Sequence, residues 1–242
     1  MELKIKNLSK SFEGVKAVDD LSLELKSGIV NGIVGPNGSG KTTFVNLLSG
    51  LLPYDKGVVV IENTKIKKMK PFESLGYGVT RTFQDVRLFE QMKVIDNILI
   101  VLTKKDVFGS LFERQSDYQL NTALDILKKV GLYSKRNELA LNLSYGQRKL
   151  LEIGRALATK SDVYLFDEPF AGLFKEIKKD VIKLINELKK ENKTVILIEH
   201  DMDLIRELTD QLFVIDAGKL LASGKSEDVL ANKKVIKAYL GN

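Results

Sequence analysis

Gly35-Pro36-Asn37-Gly38-Ser39-Gly40-Lys41-Thr42 fits the pattern G-x-x-x-x-G-K-[ST], with an apolar run, Ile29–Val34, before it and a helical pattern after it. Glycines at 35, 38 and 40 let the backbone curl until successive N–H groups point inward and cradle phosphate oxygens. A helix opening near Lys41 adds the positive end of its dipole. Lys41 supplies a full charge to the β- and γ-phosphates of a nucleotide; the Thr42 hydroxyl is a Mg2+ ligand, and Thr43 follows on the helix. Outside that strand–loop–helix context the same residues would be only a tight glycine turn. By itself the motif specifies a nucleotide binder and nothing finer.

A second group of chemically active residues closes two apolar runs. Val163–Phe166 leads into Asp167-Glu168-Pro169, two carboxylates at the C-terminal end of an expected parallel strand, where α/β sheets bind ligands. Neighbouring strand residues point to opposite sides, so the two carboxylates are expected to do different work. Asp167 is assigned to Mg2+ through water, and Glu168 to polarising an attacking water as general base. The plainer reading makes them caps of the turn at Pro169. His200, the single histidine, ends the run Thr194–Glu199. Lone histidines commonly serve structure. At a second strand end in this company, a neutral imidazole is expected to hydrogen-bond a γ-phosphate and register its loss.

Positioning these groups requires particular elements. Alternating Leu3/Ile5 and Leu21/Leu23/Leu25 read as half-buried strands, and Val58–Ile61, Gly78–Phe83 and Leu212–Ile215 as further strands. Phe44, Leu47, Leu48 and Leu51 recur at helical spacing over Thr43–Leu52, with Pro53 as the stop. Residues from about Gln91 to Thr159 read as helical, with Ala123, Leu124, Leu127 and Val130 on one face. Ile177–Leu188 and Asp203–Leu208 complete a strand–helix alternation, which implies an α/β parallel sheet with an inserted helical subdomain. The 242 residues are 44% hydrophobic, enough for one sizeable core. No apolar run approaches the roughly 18–20 residues of a membrane span. The start, Met1 to Lys6, has no signal-peptide character, so a cytoplasmic chain is expected, reaching a membrane only through a partner. With no cysteine, disulfides and thiolate metal sites are excluded. The net charge of +6 comes from scattered lysines; the one local cluster, Lys65–Lys70, lacks interleaved aromatics, and no nucleic-acid partner is expected.

The segment Asn142-Leu-Ser144-Tyr-Gly146-Gln147-Arg148, ahead of the expected helix Lys149–Leu157, resembles the ABC signature, more often Leu-Ser-Gly-Gly-Gln. A serine hydroxyl and a glycine amide opening a helix form a second anion site, and a plain Ser-capped helix is the structural alternative. The resemblance implies that Ser144, Gly146 and Gln147 complete the ATP site of an opposite protomer, in a homodimer or a heterodimer with a second ABC ATPase. Gln84 resembles the Q-loop glutamine, which touches Mg2+ or water and joins core to helical subdomain. Phe12 resembles the aromatic that stacks on adenine, with Val18 flanking the ring; ordinary core is the structural alternative for either. In the segment that resembles the D-loop, Phe174 replaces the usual Asp or Asn, removing a hydrogen bond across the dimer.

The resemblance covers essentially the whole chain. It implies a P-loop ABC ATPase core with a mixed or parallel sheet, an antiparallel β subdomain and an inserted α-helical subdomain. Core and β lobe would comprise 1–83 and 160–242, and the helical subdomain 84–159. ATP and Mg2+ would be the ligands, and Glu168, His200, Gln84 and Lys41 the catalytic residues. Thr80–Gln84, Val86–Phe89, Ile198–Met202 and the ending Val235–Gly241 look like ATPases of branched-chain amino acid importers. That implies two transmembrane permease subunits, an extracytoplasmic solute-binding protein, and a peripheral location on the cytoplasmic membrane face. Urea or amide importers and lipopolysaccharide exporters share these features. A soluble ABC ATPase of nucleic acid or ribosomes is the other class, although those usually carry two cassettes and this chain has one phosphate loop.

Overall fold

The computed structural model describes residues 2–103 and 117–240, so part of the expected helical region and Gly241 lie outside the described residues. In chain order come β1 (Glu2–Phe12), β2 (Val15–Lys26), β3 (Val30–Val34), α1 (Lys41–Leu48), β4 (Lys56–Ile61), β5 (Thr64–Ile66) and β6 (Val79–Arg81). Next are α2 (Val94–Leu102), α3 (Asp117–Lys129), α4 (Tyr145–Ala158), β7 (Val163–Asp167), α5 (Lys175–Lys190) and β8 (Thr194–Ile198). The chain closes with α6 (Met202–Leu208), β9 (Gln211–Asp216), β10 (Lys219–Gly224), α7 (Ser226–Leu230) and α8 (Lys233–Leu240).

Two compact units emerge: 1–81 with 162–168 and 185–242, and 82–161 with 169–184. The stretch 169–184 thus groups with the helical unit, whereas the sequence reading assigns it to the core. The first unit holds an antiparallel sheet, β2-β1-β4-β5, and a six-stranded sheet, β10-β9-β3-β8-β7-β6. The latter is parallel except where β10 folds back on β9. Strands β3, β7 and β8 are buried at every residue. Burial on both faces is why they read as continuous apolar runs, while half-buried β1 and β2 mix polar with apolar residues. One core cluster joins Leu3, Ile5, Leu23 and Val59 of the antiparallel sheet to Phe44 and Leu47 of α1 and to Ile33, Leu165 and Ile198.

Helix α1 ends at Leu48 rather than running to Pro53. Gly50 takes a left-handed φ of 73°, and an added Cβ would lie 2.9 Å from the Lys70 carbonyl oxygen, so glycine geometry stops the helix earlier. Strand β10 and helices α7 and α8 were not foreseen. The β9–β10 hairpin turns through Ala217 (φ 44°) and Gly218 (φ 77°), both left-handed. That is a two-residue turn of the kind Asn-Gly normally announces, disguised by an alanine. In the second unit α2, α3 and α4 pack together. A Cβ on Gly154 would lie 3.3 Å from the Ile98 Cδ1 and 3.5 Å from atoms of Ile126 and Val130. The missing side chain lets these helices approach closely.

Candidate functional site

The loop 35–40 links fully buried β3 to α1, and its glycines are dictated by space as much as by torsion. A Cβ on Gly35 would sit 2.0 Å from the Ile215 carbonyl oxygen, and one on Gly40 (φ 100°) 2.1 Å from that of Ala17. Gly38 (φ 77°) faces open space, so torsion alone selects it. Ser39 is buried; its carbonyl accepts the Gly218 N–H at 2.9 Å, and its own N–H reaches Pro36 at 3.2 Å. Asn37 and Thr42 are exposed, and Thr43 is half-buried. The Lys41 Nζ donates to the carbonyls of Gly35 (2.7 Å) and Pro36 (3.0 Å). Burial pushes that ammonium below the ordinary lysine value, with the Glu168 charge opposing. The loop thus holds a cation in place on its own carbonyls, where phosphate oxygens would compete for it.

Asp167 ends β7, buried, with its Oδ2 2.7 Å from Arg81. Glu168 leaves strand geometry at a left-handed φ of 48°, and its N–H donates to the Ile198 carbonyl at 3.0 Å. The two carboxylates do have different partners, but the cause is this backbone turn rather than strand alternation. Glu168 Oε1 lies 2.9 Å from His200 Nε2, so this carboxylate and the histidine form a direct pair. The imidazole is half-exposed, and its backbone N–H donates to the buried Glu199 carboxylate at 3.2 Å.

Phe12 is exposed, with the Lys10 Nζ 5.4 Å from its ring centre. Val18 is fully buried in the core cluster and has no surface to offer a nucleobase, which corrects its assignment as a flanking residue. Register explains the slip: Val15, 71% exposed, pairs with Phe12 across the β1–β2 hairpin, while Val18 pairs with Lys10 and turns inward. Sequence reasoning also missed Arg81 and Tyr239. Burial pushes the Tyr239 hydroxyl on α8 up to about 12, with the Gly35 backbone opposing. Lys41, Asp167, Glu168 and His200 all belong to the first unit: Asp167 ends β7, and the others lie on segments that follow β3, β7 and β8.

Gln84, Ser144, Gly146 and Gln147 lie in the second unit. Helix α4 begins at Tyr145, one turn before the expected Lys149, because Ser144 and Gln147 form a capping box. The Ser144 Oγ accepts the Gln147 N–H at 3.4 Å, and the Gln147 Oε1 accepts the Ser144 N–H at 3.1 Å. Gln147 therefore has a structural duty that the ligand assignment did not include. Gln84 is exposed, and its carbonyl accepts the buried Lys149 Nζ at 3.2 Å. Lys149 also reaches the Phe83 carbonyl at 2.6 Å, while Glu152 accepts the Phe83 N–H at 3.1 Å. Burial raises the Glu152 carboxyl above the usual range, with Lys149 opposing. This buried pair anchors the loop that carries Gln84. Phe174 is 81% exposed, with no polar atom in its side chain to bond a partner.

A glycine loop between a buried parallel strand and a helix, a lysine held inside it, and carboxylates after a neighbouring strand define a P-loop nucleotide-binding protein. A family model described as ABC transporter matches residues 18–171, and one described as Branched-chain amino acid ATP-binding cassette transporter matches 219–242. The chain is 37% identical to the High-affinity branched-chain amino acid transport ATP-binding protein LivG of Salmonella typhimurium, covering 99% of this chain and 97% of that one. The crystal structure of the ADP conformation of MJ1267, an ATP-binding cassette of an ABC transporter, superposes over the whole of both chains with a TM-score of 0.87 and 36% identity. A dimeric post-hydrolysis state of the cassette MJ0796, bound to ADP and Pi, aligns with 93% of this chain at a TM-score of 0.78 and 25% identity. This chain belongs to the ABC transporter family, as an ATP-binding cassette. It is an ABC ATPase.

Proposed function

We propose that the chain hydrolyses ATP with Mg2+ to power import of branched-chain or related hydrophobic amino acids through a membrane complex. The Glu168–His200 pair, 2.9 Å apart in the same unit as the Lys41 loop, is the observation that carries the hydrolytic half. The transported class rests on the LivG likeness and the matched segment 219–242. The donor chemistry fits Mg2+, since Thr42 offers a hydroxyl and Asp167 a carboxylate. Among the described residues no group of three His, Cys, Asp or Glu forms an all-protein cage. An ion that keeps waters and takes oxygens from phosphates suits such a sparse set. When bound, Mg2+ neutralises charge that develops on the phosphates.

The chain's own residues do the rest. Loop amides and Lys41 bind the β- and γ-phosphates, and Phe12 with Val15 offers an exposed apolar face to the adenine ring. The nitrogen facing Glu168 must carry a proton to bond a carboxylate, and the same N–H suits a γ-phosphate oxygen. When His200 turns to the phosphate, Glu168 becomes available to a water. The carboxylate takes the water's proton as its oxygen bonds to the γ-phosphorus. The bond from that phosphorus to the β–γ bridging oxygen breaks, leaving ADP and phosphate. Ser144 and Gly146 would serve a partner protomer's γ-phosphate, so hydrolysis removes the group that bridges the dimer. No helix among the described residues is long and apolar enough to cross a membrane, so permease subunits would carry the solute. Uptake of labelled leucine by cells expressing the chain with its permease and receptor genes tests this. Lys41→Ala should abolish uptake, and undiminished uptake would overturn the reading.

A further inference from the structure

Arg81 is the last residue of β6, and its two terminal nitrogens reach Asp167, Asn46 and Ser49. Its Nη2 lies 2.7 Å from the Asp167 Oδ2, and its Nη1 donates to Asn46 Oδ1 at 2.6 Å and Ser49 Oγ at 3.1 Å. Ser49 is fixed in turn, its hydroxyl donating to the Val45 carbonyl at 2.9 Å. Strand register makes the contact possible: Arg81 pairs with Leu165, and Asp167 follows two residues on along the same face. The ion pair is deeply buried, with side chains 7% and 9% exposed. A buried ion pair is a poor way to gain stability, because desolvating both charges offsets much of their attraction. Its place beside the carboxylate assigned to Mg2+ gives it a different rationale.

We propose that Arg81 is a positioning residue for the metal-serving carboxylate: it ties one oxygen of Asp167 to the helix after the phosphate loop and leaves the other to meet the cation's water shell. This rests on the reading of Asp167 as that carboxylate. A planar fork is needed, since a lysine ammonium cannot hold the carboxylate, Asn46 on α1 and Ser49 just after it in one plane. Positive charge on Oδ2 also weakens the pull of Asp167 on a divalent cation, favouring contact through water over direct ligation.

The test uses the full chain with Mn2+ and ATP, counting metal-bound waters by electron paramagnetic resonance in 17O-water, beside kcat and metal-free ATP affinity. Arg81→Met should remove about one coordinated water and lower kcat about ten- to a hundredfold, with metal-free affinity within about twofold of parental. Arg81→Lys keeps the charge, so hydration should return to parental while kcat recovers only in part. If Arg81→Met does not fold, the Asn46→Ala/Ser49→Ala double variant loosens the same guanidinium from the α1 side. It should lower kcat about tenfold and alter the Mn2+ spectrum. Parental hydration and kcat in Arg81→Met or in the double variant would overturn the proposal. Asp167→Asn separates the two readings. If it leaves the Mn2+ spectrum parental, the metal assignment itself fails; if it changes the spectrum while the Arg81 variants do not, only the positioning role fails.

Discussion

Lys41 shows how the site stores charge before a phosphate arrives. Its pKa in the folded chain lies below the 10.5 of an ordinary lysine because burial disfavours the ammonium. Between those two values the unfolded chain binds the extra proton, so stability contributed by this group rises with pH across the window. Lys41→Met removes that component. Urea midpoints of the nucleotide-free parent and the variant, followed from neutrality to 10.5, should therefore converge or cross in the parent's favour. Parallel profiles would show that the buried ammonium carries no such penalty. The phosphate loop and the acidic pair were legible in the sequence because both are local patterns. What escaped was partnership across long sequence distances. Arg81 reaches Asp167 from 86 residues away, and nothing in the Thr-Arg-Thr run advertises it. The Glu168–His200 bond depends on a left-handed Glu168, a conformation that no residue type around it announces.

Helix α4 illustrates the same limit one level up. The helix was expected at Lys149–Leu157, but its true start was hidden in the Ser144–Gln147 box, one turn earlier. Ser144→Ala removes the side-chain cap, and should lower unfolding stability by about 1 kcal/mol in denaturant titrations. An unchanged midpoint would mean the cap is not formed in solution. Buried parallel strands were found almost to the residue: Thr194–Ile198 is the strand observed, and Val163–Phe166 falls one short. Full burial favours apolar side chains at most positions, with the buried polar exceptions Asn31, Thr194 and Asp167, and so leaves a recognisable run. Hairpins were harder. The β9–β10 turn uses Ala217 with positive φ, and the Val15–Val18 confusion arose because which strand face is inward is set by the pairing with β1, not by the residues alone.

At the scale of the whole molecule, the two units divide the labour that the motifs describe. The first carries the phosphate loop, both carboxylates and His200, and the second carries the signature box and the buried Lys149–Glu152 anchor of the Gln84 loop. The phenylalanine at 174, where the D-loop resemblance implies Asp or Asn, lies with the second unit. The proposed mechanism makes one carboxylate, Glu168, the group that turns bound nucleotide into work. Phosphate release from ATP in the presence of Mg2+, measured on the intact parent and on Glu168→Gln with nucleotide occupancy followed in parallel, tests that most directly. The variant should bind ATP as the parent does and release phosphate about a hundred- to ten-thousandfold more slowly. Parental turnover in Glu168→Gln would contradict the account.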